Sequence, residues 1–109
     1  MTSQDVFTAI ADPTRRQILD ALALRECTVG ELVELVGTAQ PNVSKHLKQL
    51  SRAELVRARV DGPRRHYALQ PDRLREVDAW LETYRRTWSE RLDSLEHHLD
   101  TMDDPKEQS

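Results

Sequence analysis

The stretch that decides the fold is QPNVSKHLKQL, residues Gln40–Leu50. At 100° per residue, its large apolar side chains fall on one side of a helix, where they can join a core. The members of this apolar face are Val43, Leu47 and Leu50. The opposite face carries Pro41, Lys45, Lys48 and, just beyond the stretch, Arg52, with Asn42, Ser44 and Gln49 at its borders. The pattern predicts an amphipathic helix whose outer face is cationic.

A second helix is predicted directly before this one. Thr28 and Glu31 have the spacing of a capping box, in which each side chain binds the other residue's free backbone N–H. Gly37 suits the left-handed position that ends a helix, and Pro41 suits the first turn of the next. Because about three residues, Gly37–Ala39, join the two helices, the segment has the outline of a helix-turn-helix.

Further helical signals lie closer to the N-terminus. Val6, Phe7 and Ile10 form a weak amphipathic stretch. Asp12 followed by Pro13 supplies a side-chain cap and a proline at the first helical position, so another helix is predicted to begin near Pro13.

After the cationic helix, the hydrophobic period changes from that of a helix to that of a strand. Val56, Ala58 and Val60 alternate with polar residues, and after a turn at residues 61–64 the chain returns with Tyr67 and Leu69 on one face. This pattern predicts a β-hairpin with Arg64 and Arg65 at its basic tip. The fold class expected is therefore mainly α with a small β-hairpin, a winged helix-turn-helix.

A long helix is predicted over residues 72–103, approximately. Its apolar residues keep the spacing of a coiled-coil seam, with one stutter before Leu92. So long a stripe is hard to cover within one small chain, so we expect a homodimer formed through the N- and C-terminal helices, although packing within one subunit stays an alternative. The interface residues predicted are Phe7, Leu74, Val77, Leu81, Tyr84, Trp88, Leu92, Leu95 and Leu99.

Composition limits the possible classes of protein. The 109 residues suit one domain, expected over residues 1–104, with residues 105–109 as a disordered tail. One cysteine, Cys27, excludes an intramolecular disulfide framework. The chain shows neither a signal peptide at its start nor a run long enough to span a membrane, so a soluble, cytoplasmic protein without membrane insertion is expected.

The formal net charge of -3 hides a segregation of charge along the chain. Residues 1–38, 39–73 and 74–109 carry net charges of -3, +5 and -5. A basic segment between acidic flanks favours contact with a polyanion, although a merely solvated charged surface is the simpler alternative.

The basic segment has the side chains that bind phosphates and base edges in double-stranded DNA. The candidate DNA-binding residues are Gln40, Pro41, Asn42, Ser44, Lys45, His46, Lys48, Arg52, Arg64 and Arg65. His46 lies about 65° from the centre of the apolar face, so a structural hydrogen bond is an equal alternative for it.

Four segments together resemble the ArsR/SmtB family of bacterial winged-helix repressors, over nearly the whole chain. They are ADPTRRQIL (11–19), TVGEL (28–32), PNVSKHLKQL (41–50) and AELV (53–56). WLETYRRTW (80–88) is similar to a large branch of that family with a long C-terminal helix. The resemblance implies a homodimer that binds a palindromic operator, often in its own promoter, and releases it when an effector or partner binds.

The resemblance also raises the question of a sensor site. The classical thiolate pair of the family would fall at Val33 and Leu35, so that site is absent. Asp93, His97, His98 and Asp100 offer ligand types on the last helix, but a solvated acidic face is the simpler interpretation, and neither a metal nor another cofactor is predicted. Cys27 precedes a helix whose positive end would lower a thiol's pKa, which makes a redox switch an alternative to inert packing.

The sequence therefore predicts a sequence-specific DNA-binding transcriptional regulator, a dimeric repressor of a pseudo-palindromic operator. The alternative is a winged-helix module that binds protein and not DNA. An enzyme is not expected, because the chain has no glycine-rich phosphate loop and no nucleophile with a spaced acid-base pair.

Overall fold

The computed structural model describes residues 5–103, with side chains through residue 101. The expected tail at residues 105–109 lies outside the described residues. The chain divides into two compact units, one ending at Val77 and one beginning at Asp78.

The described part contains five α-helices and three strands. The helices are α1 (Val6–Ala9), α2 (Pro13–Leu24), α3 (Val29–Val36), α4 (Gln40–Arg52) and α5 (Leu74–Asp103). The strands are β1 (Cys27–Thr28), β2 (Val56–Asp61) and β3 (Arg64–Leu69), and a single 3-10 turn, Pro71–Arg73, precedes α5. The predicted order of three N-terminal helices, the cationic helix, the hairpin and the long helix is confirmed.

The helix starts follow the predicted caps. The Asp12 carboxylate accepts a hydrogen bond of 3.0 Å from the Arg15 backbone N–H, and Pro13 follows at the first position of α2. At α3, the Thr28 N–H donates to Glu31 Oε1 at 2.8 Å and the Glu31 N–H donates to Thr28 Oγ1 at 3.2 Å. Both ends of the capping box are therefore made.

The turn between α3 and α4 is made by Gly37, whose φ of 79° lies in the left-handed region. Its N–H donates to the Val33 carbonyl oxygen at 2.9 Å and closes the end of α3. Since a side chain is strained in this conformation, glycine allows the chain to turn at once into α4.

The sheet has three antiparallel strands in the order β1-β3-β2. The predicted hairpin is confirmed, with Asp61 opposite Arg64 across a turn that contains Gly62. Strand β1, in which Cys27 pairs with Tyr67, was not predicted, because two residues are too few to show a strand period.

The core of the first unit lies where α2, α3 and α4 meet the base of the sheet. The apolar faces of α2 and α4 are buried, and in β2 only Val56 is buried, so the rest of that strand stands out from the core. The buried residues of the core are Val6, Ala9, Ile18, Leu19, Leu22, Cys27, Leu32, Val43, Leu47, Leu50, Ala53, Leu55 and Val56.

The second unit consists of α5 beyond Val77. Every residue of α5 from Asp78 to Thr101 is exposed, including the large apolar ones. Within residues 5–103, no helix combines the length and the apolarity needed to cross a membrane.

Candidate nucleic-acid interface

Helix α4 has one buried face and one exposed face. Val43 and Leu50 are fully buried and Leu47 is 1% exposed. On the other side, the side chains of Ser44, Lys45, Lys48 and Arg52 are exposed, together with Gln40 and Pro41 at the start of the helix. We call these six residues the recognition face.

Asn42 lies at the edge of this face. Its side chain is half-buried, and its Nδ2 donates to Thr38 Oγ1 at 3.1 Å. The bond holds the amide in one orientation beside the exposed N-terminus of α4, where Ala39 provides no side-chain cap. Asn42 is therefore oriented by the turn, with its carbonyl oxygen still able to accept a hydrogen bond.

His46 differs from the other candidate residues on α4 because it is buried, with 9% of its surface exposed. Its Nδ1 lies 3.3 Å from Arg15 Nη1, and its Nε2 lies 3.8 Å from Asp12 Oδ2. The expectation that His46 could contact DNA is corrected, since both ring nitrogens face residues of α2 and its cap. The structural hydrogen bond is the alternative that the contacts support.

The wing, formed by β2, β3 and their turn, brings its basic tip close to two helix starts. A cleft of about 450 Å³ separates the exposed side chains of Arg64 and Arg65 from the beginnings of α3 and α4. Its lining residues are Thr28, Val29, Gly30, Gln40, Pro63, Arg64 and Arg65. Cationic side chains beside helix N-termini produce a positive potential, which suits an anion such as a phosphate.

Two more arginines of the wing were not among the predicted residues. Arg57 is exposed on β2 and adds positive charge beside the tip. Arg59 forms an ion pair with Glu26, in which its Nη2 donates to Glu26 Oε1 at 2.9 Å. This hydrogen bond lowers the pKa of the Glu26 carboxyl, so the pair stays ionised at neutral pH. The alternating Arg-x-Arg pattern in β2 could have indicated both.

The predicted dimer residues fall into two groups. Phe7, Leu74 and Val77 are half-buried and pack against the core of their own unit. The six others stand exposed along α5, with exposed fractions between 38% and 65%, and we call them the C-terminal stripe. Its members are Leu81, Tyr84, Trp88, Leu92, Leu95 and Leu99.

A shallow groove of about 370 Å³ runs along part of the C-terminal stripe. Leu81, Tyr84 and Trp88 form its apolar floor, and Arg85 and Arg91 border it. The Trp80 and Tyr84 rings meet edge to face with their centroids 5.2 Å apart, so Trp80 supports one end of the groove. The face is apolar along its centre and charged along its edge.

Cys27 does not have the environment predicted for a redox switch. The side chain is fully buried, and burial raises the pKa of the thiol, where a helix N-terminus was expected to lower it. Its Sγ lies 3.6 Å from the Arg25 carbonyl oxygen, as a weak donor. Inert packing is the interpretation that this site supports.

The acidic and histidine residues near the end of α5 do not converge. Across the part of the chain that the structure describes, no group of three or more His, Cys, Asp or Glu side chains is arranged to hold a metal ion.

Comparison with known proteins identifies the family to which the chain belongs. Residues 12–58, which run from the cap of α2 into β2, match the family described as "Bacterial regulatory protein, arsR family". Among relatives, the HTH-type transcriptional regulator Rv2034 of Mycobacterium tuberculosis is 38% identical over 98 residues, which cover 90% of this chain and 89% of that protein. The transcriptional repressor SdpR of Bacillus subtilis is 36% identical over 77 residues, covering 71% and 86%.

A further relative, the HTH-type transcriptional regulator KmtR of Mycobacterium tuberculosis, is 47% identical over 73 residues. That match covers 67% of this chain, which spans 56% of the length of the relative. Among solved structures, one titled as a possible transcriptional regulator for arsenical resistance superposes with a TM-score of 0.69 and 33% identity, covering 87% of this chain and 96% of that one. The chain therefore belongs to the ArsR family of bacterial regulatory proteins and is a DNA-binding transcriptional regulator with a winged helix-turn-helix.

Proposed function

We propose that this protein is a transcriptional repressor that binds a pseudo-palindromic DNA operator as a homodimer. The observation that carries the proposal is the recognition face of α4, where Lys45, Lys48 and Arg52 are exposed opposite a buried apolar face. A helix that is fixed to a core from behind can enter a major groove as a rigid body.

The polar residues of this face, together with Asn42 at its edge, divide by their chemistry. Lys45, Lys48 and Arg52 are suited to phosphates, which supply affinity without sequence information. Gln40, Asn42 and Ser44 have amide and hydroxyl groups that can bind base edges, and they cluster at the N-terminal end of α4. We infer that the start of α4 reads sequence and that its later turns supply charge.

The wing is proposed as a second contact with the same DNA. Arg64 and Arg65 stand at the tip of the hairpin and border the cleft that also contains Gln40. Arginines at a wing tip can follow the phosphates into the adjacent minor groove, whose negative potential attracts them.

The homodimer is proposed from the C-terminal stripe. Large apolar side chains that are at least 38% exposed over some five turns of helix are unusual in a soluble monomer. A second copy of the same helix offers a matching stripe, so the pair can bury both. Two recognition helices would then meet two half-sites about 34 Å apart, one helical turn of DNA, which requires a pseudo-palindrome.

The names of the relatives support a role in repression. SdpR is named a transcriptional repressor, and this chain covers 86% of it. We infer that the present protein also represses, with its own promoter as one target, and that it acts in the cytoplasm, where the DNA is.

The test is a fluorescence-anisotropy titration of the purified protein against DNA from upstream of its own gene and a scrambled DNA of equal length, at several salt concentrations. Tight binding that selects the upstream DNA and weakens steeply with salt is expected, with two chains per site at saturation. Equal, weak binding to both DNAs at low salt would reject the proposal in favour of a protein-binding module.

A further inference from the structure

Arg15 of α2 connects the recognition helix to the N-terminal part of the chain. Its Nε donates to the Ala9 carbonyl oxygen at 2.6 Å, and its Nη2 donates to the Thr8 carbonyl oxygen at 3.1 Å. Its Nη1 reaches across to α4, where it donates to Gln49 Oε1 and lies 3.3 Å from His46 Nδ1. One guanidinium therefore holds α1 and α4 together.

The chemistry of the donor indicates which tautomer of His46 fits this contact. A guanidinium has only donors, so the contact from Arg15 Nη1 is a hydrogen bond only when His46 Nδ1 carries no proton. The proton of the neutral ring is then on Nε2, which faces Asp12 Oδ2 at 3.8 Å. The hydrogen bond from the Arg15 backbone N–H holds the pKa of Asp12 below its ordinary value, so a carboxylate faces this N–H at neutral pH.

The apolar contacts of α4 with its unit lack this directionality. Val43, Leu47 and Leu50 are packed into the core, and apolar packing constrains distance more than rotation. The bonds from Arg15 to His46 and Gln49 lie on consecutive positions of one helical face, spaced i and i+3. Two polar contacts on the same face fix the rotation of the helix about its axis.

We propose that Arg15 is a positioning residue for DNA reading, which sets the rotation and depth of α4 by tying His46 and Gln49 to the Thr8 and Ala9 carbonyl oxygens. The proposal rests on the proposed function, because the position of α4 matters for binding only if α4 enters the DNA. The proposal also gives Gln49 a role in positioning α4. Its place in the sequence had suggested instead that it borders the outer, cationic face.

The test compares Arg15→Lys with Arg16→Lys. Lysine keeps the positive charge at both positions, but its ammonium group cannot bind several separated acceptors at once, as the planar guanidinium of arginine does. Arg16 is the matched control, because its Nη1 donates to the Ile10 and Ala11 carbonyl oxygens and, among residues 5–101, no hydrogen bond or ion pair joins it to α4. Affinity for the upstream DNA is measured at several salt concentrations, beside the scrambled DNA.

Arg15→Lys is expected to bind the upstream DNA at least about tenfold more weakly, because charge-assisted hydrogen bonds to α4 are lost. The slope of affinity against salt should stay unchanged, since no phosphate contact is lost. Arg16→Lys should bind like the unaltered protein. A reduced salt slope in Arg15→Lys would place Arg15 on the DNA and overturn the positioning role, and unchanged affinity would overturn it as well.

A nitrogen-15 NMR spectrum of the histidine rings gives a second readout that a merely structural role would not move. In the unaltered protein, His46 is expected as the tautomer protonated on Nε2, and Arg15→Lys should convert part of it to the other tautomer. Protonation on Nδ1 in the unaltered protein would overturn the proposal. If Arg15→Lys does not fold, Gln49→Ala is the second variant. It removes one of the two contacts between Arg15 and α4, at a side chain that is only half-buried. A smaller loss of affinity for the upstream DNA, with an unchanged salt slope, is then expected.

The NMR measurement also separates the two proposals. If the unaltered protein binds neither DNA, the proposed function fails, whereas the positioning role is then judged by the backbone amide resonances of α4. Shifts in Arg15→Lys that extend from the substituted site in α2 to α4 and α1 would support the network, and an unchanged spectrum of α4 would overturn it.

Discussion

At the scale of single residues, neighbouring side chains of α4 have opposite environments. Lys45 is exposed, whereas His46, 100° further around the helix, is buried. The angle alone left His46 at a border, where either environment was possible. The structure places His46 against Asp12 and Arg15, which belong to the cap of α2 and to α2 itself and so could not be located by the period of α4.

Lys45→Ala should weaken binding to every DNA by a similar factor. If Lys45 contacts one phosphate, the slope of log affinity against log salt should fall by about 0.9, because one counterion fewer is released. Anisotropy titrations of both DNAs at several salt concentrations measure this change.

The matched control is Arg75→Ala, which removes an exposed cation outside the recognition face. It should leave the slope unchanged. If the two variants have the same titration curves, Lys45 is not at the DNA and the assignment of the recognition face is wrong.

Cys27 should react slowly with thiol reagents in the folded protein. The side chain is fully buried and the pKa of the thiol is raised, so little reactive thiolate forms at neutral pH and little reagent reaches it. Reaction with a disulfide reagent, followed by absorbance, should be slow in buffer and rapid in denaturant. Equal rates under both conditions would restore the redox-switch interpretation.

At the scale of elements, most helix boundaries follow from local rules. The caps at Asp12 and Thr28 were visible in the sequence because each involves residues within one turn of the other. Strand β1 was not visible, because its partner Tyr67 lies 40 positions along the chain and the strand has only two residues. Local signals predict elements whose hydrogen bonds are local.

Gly37→Ala should destabilise the fold by about 1 kcal/mol, because a Cβ is strained at a φ of 79°. The cost arises from the backbone alone, since an added Cβ at Gly37 would meet no atom within 4 Å. Urea unfolding followed by circular dichroism gives the change in free energy of unfolding.

Gly30→Ala is the control in the neighbouring helix α3. Its added Cβ would lie 3.9 Å from Thr28 Oγ1, an ordinary contact, and the position is helical. This change should be neutral or should stabilise by up to about 1 kcal/mol. Destabilisation of similar size in both variants would contradict the argument from the left-handed turn.

At the scale of the whole molecule, the C-terminal stripe is the feature that one chain leaves uncovered. The spacing of Leu81, Tyr84, Trp88 and Leu92 predicted one continuous face, and α5 presents these side chains exposed. The amphipathic period could predict the face, but not what covers it, since any complementary apolar surface would suffice.

Leu81→Asp should convert the proposed homodimer to monomers, because a carboxylate in an apolar seam loses hydration without gaining a partner. Sedimentation equilibrium measures the change, and DNA affinity should fall with it. Arg86→Asp introduces the same side chain about 140° away from Leu81 around the helix and should remain dimeric. A dimer that survives Leu81→Asp would show that the interface lies elsewhere.

The sequence by itself determined the helices, their caps, the hairpin, the buried face of α4 and the cationic face opposite it, because each depends on periodicity or on contacts within a few residues. Only the tertiary structure decided the burial of His46 and Cys27, the third strand, and the contacts of Arg15 with two helices. These features depend on groups distant in sequence that become neighbours only when the chain packs, and packing sets the solvation and hydrogen bonding of each side chain.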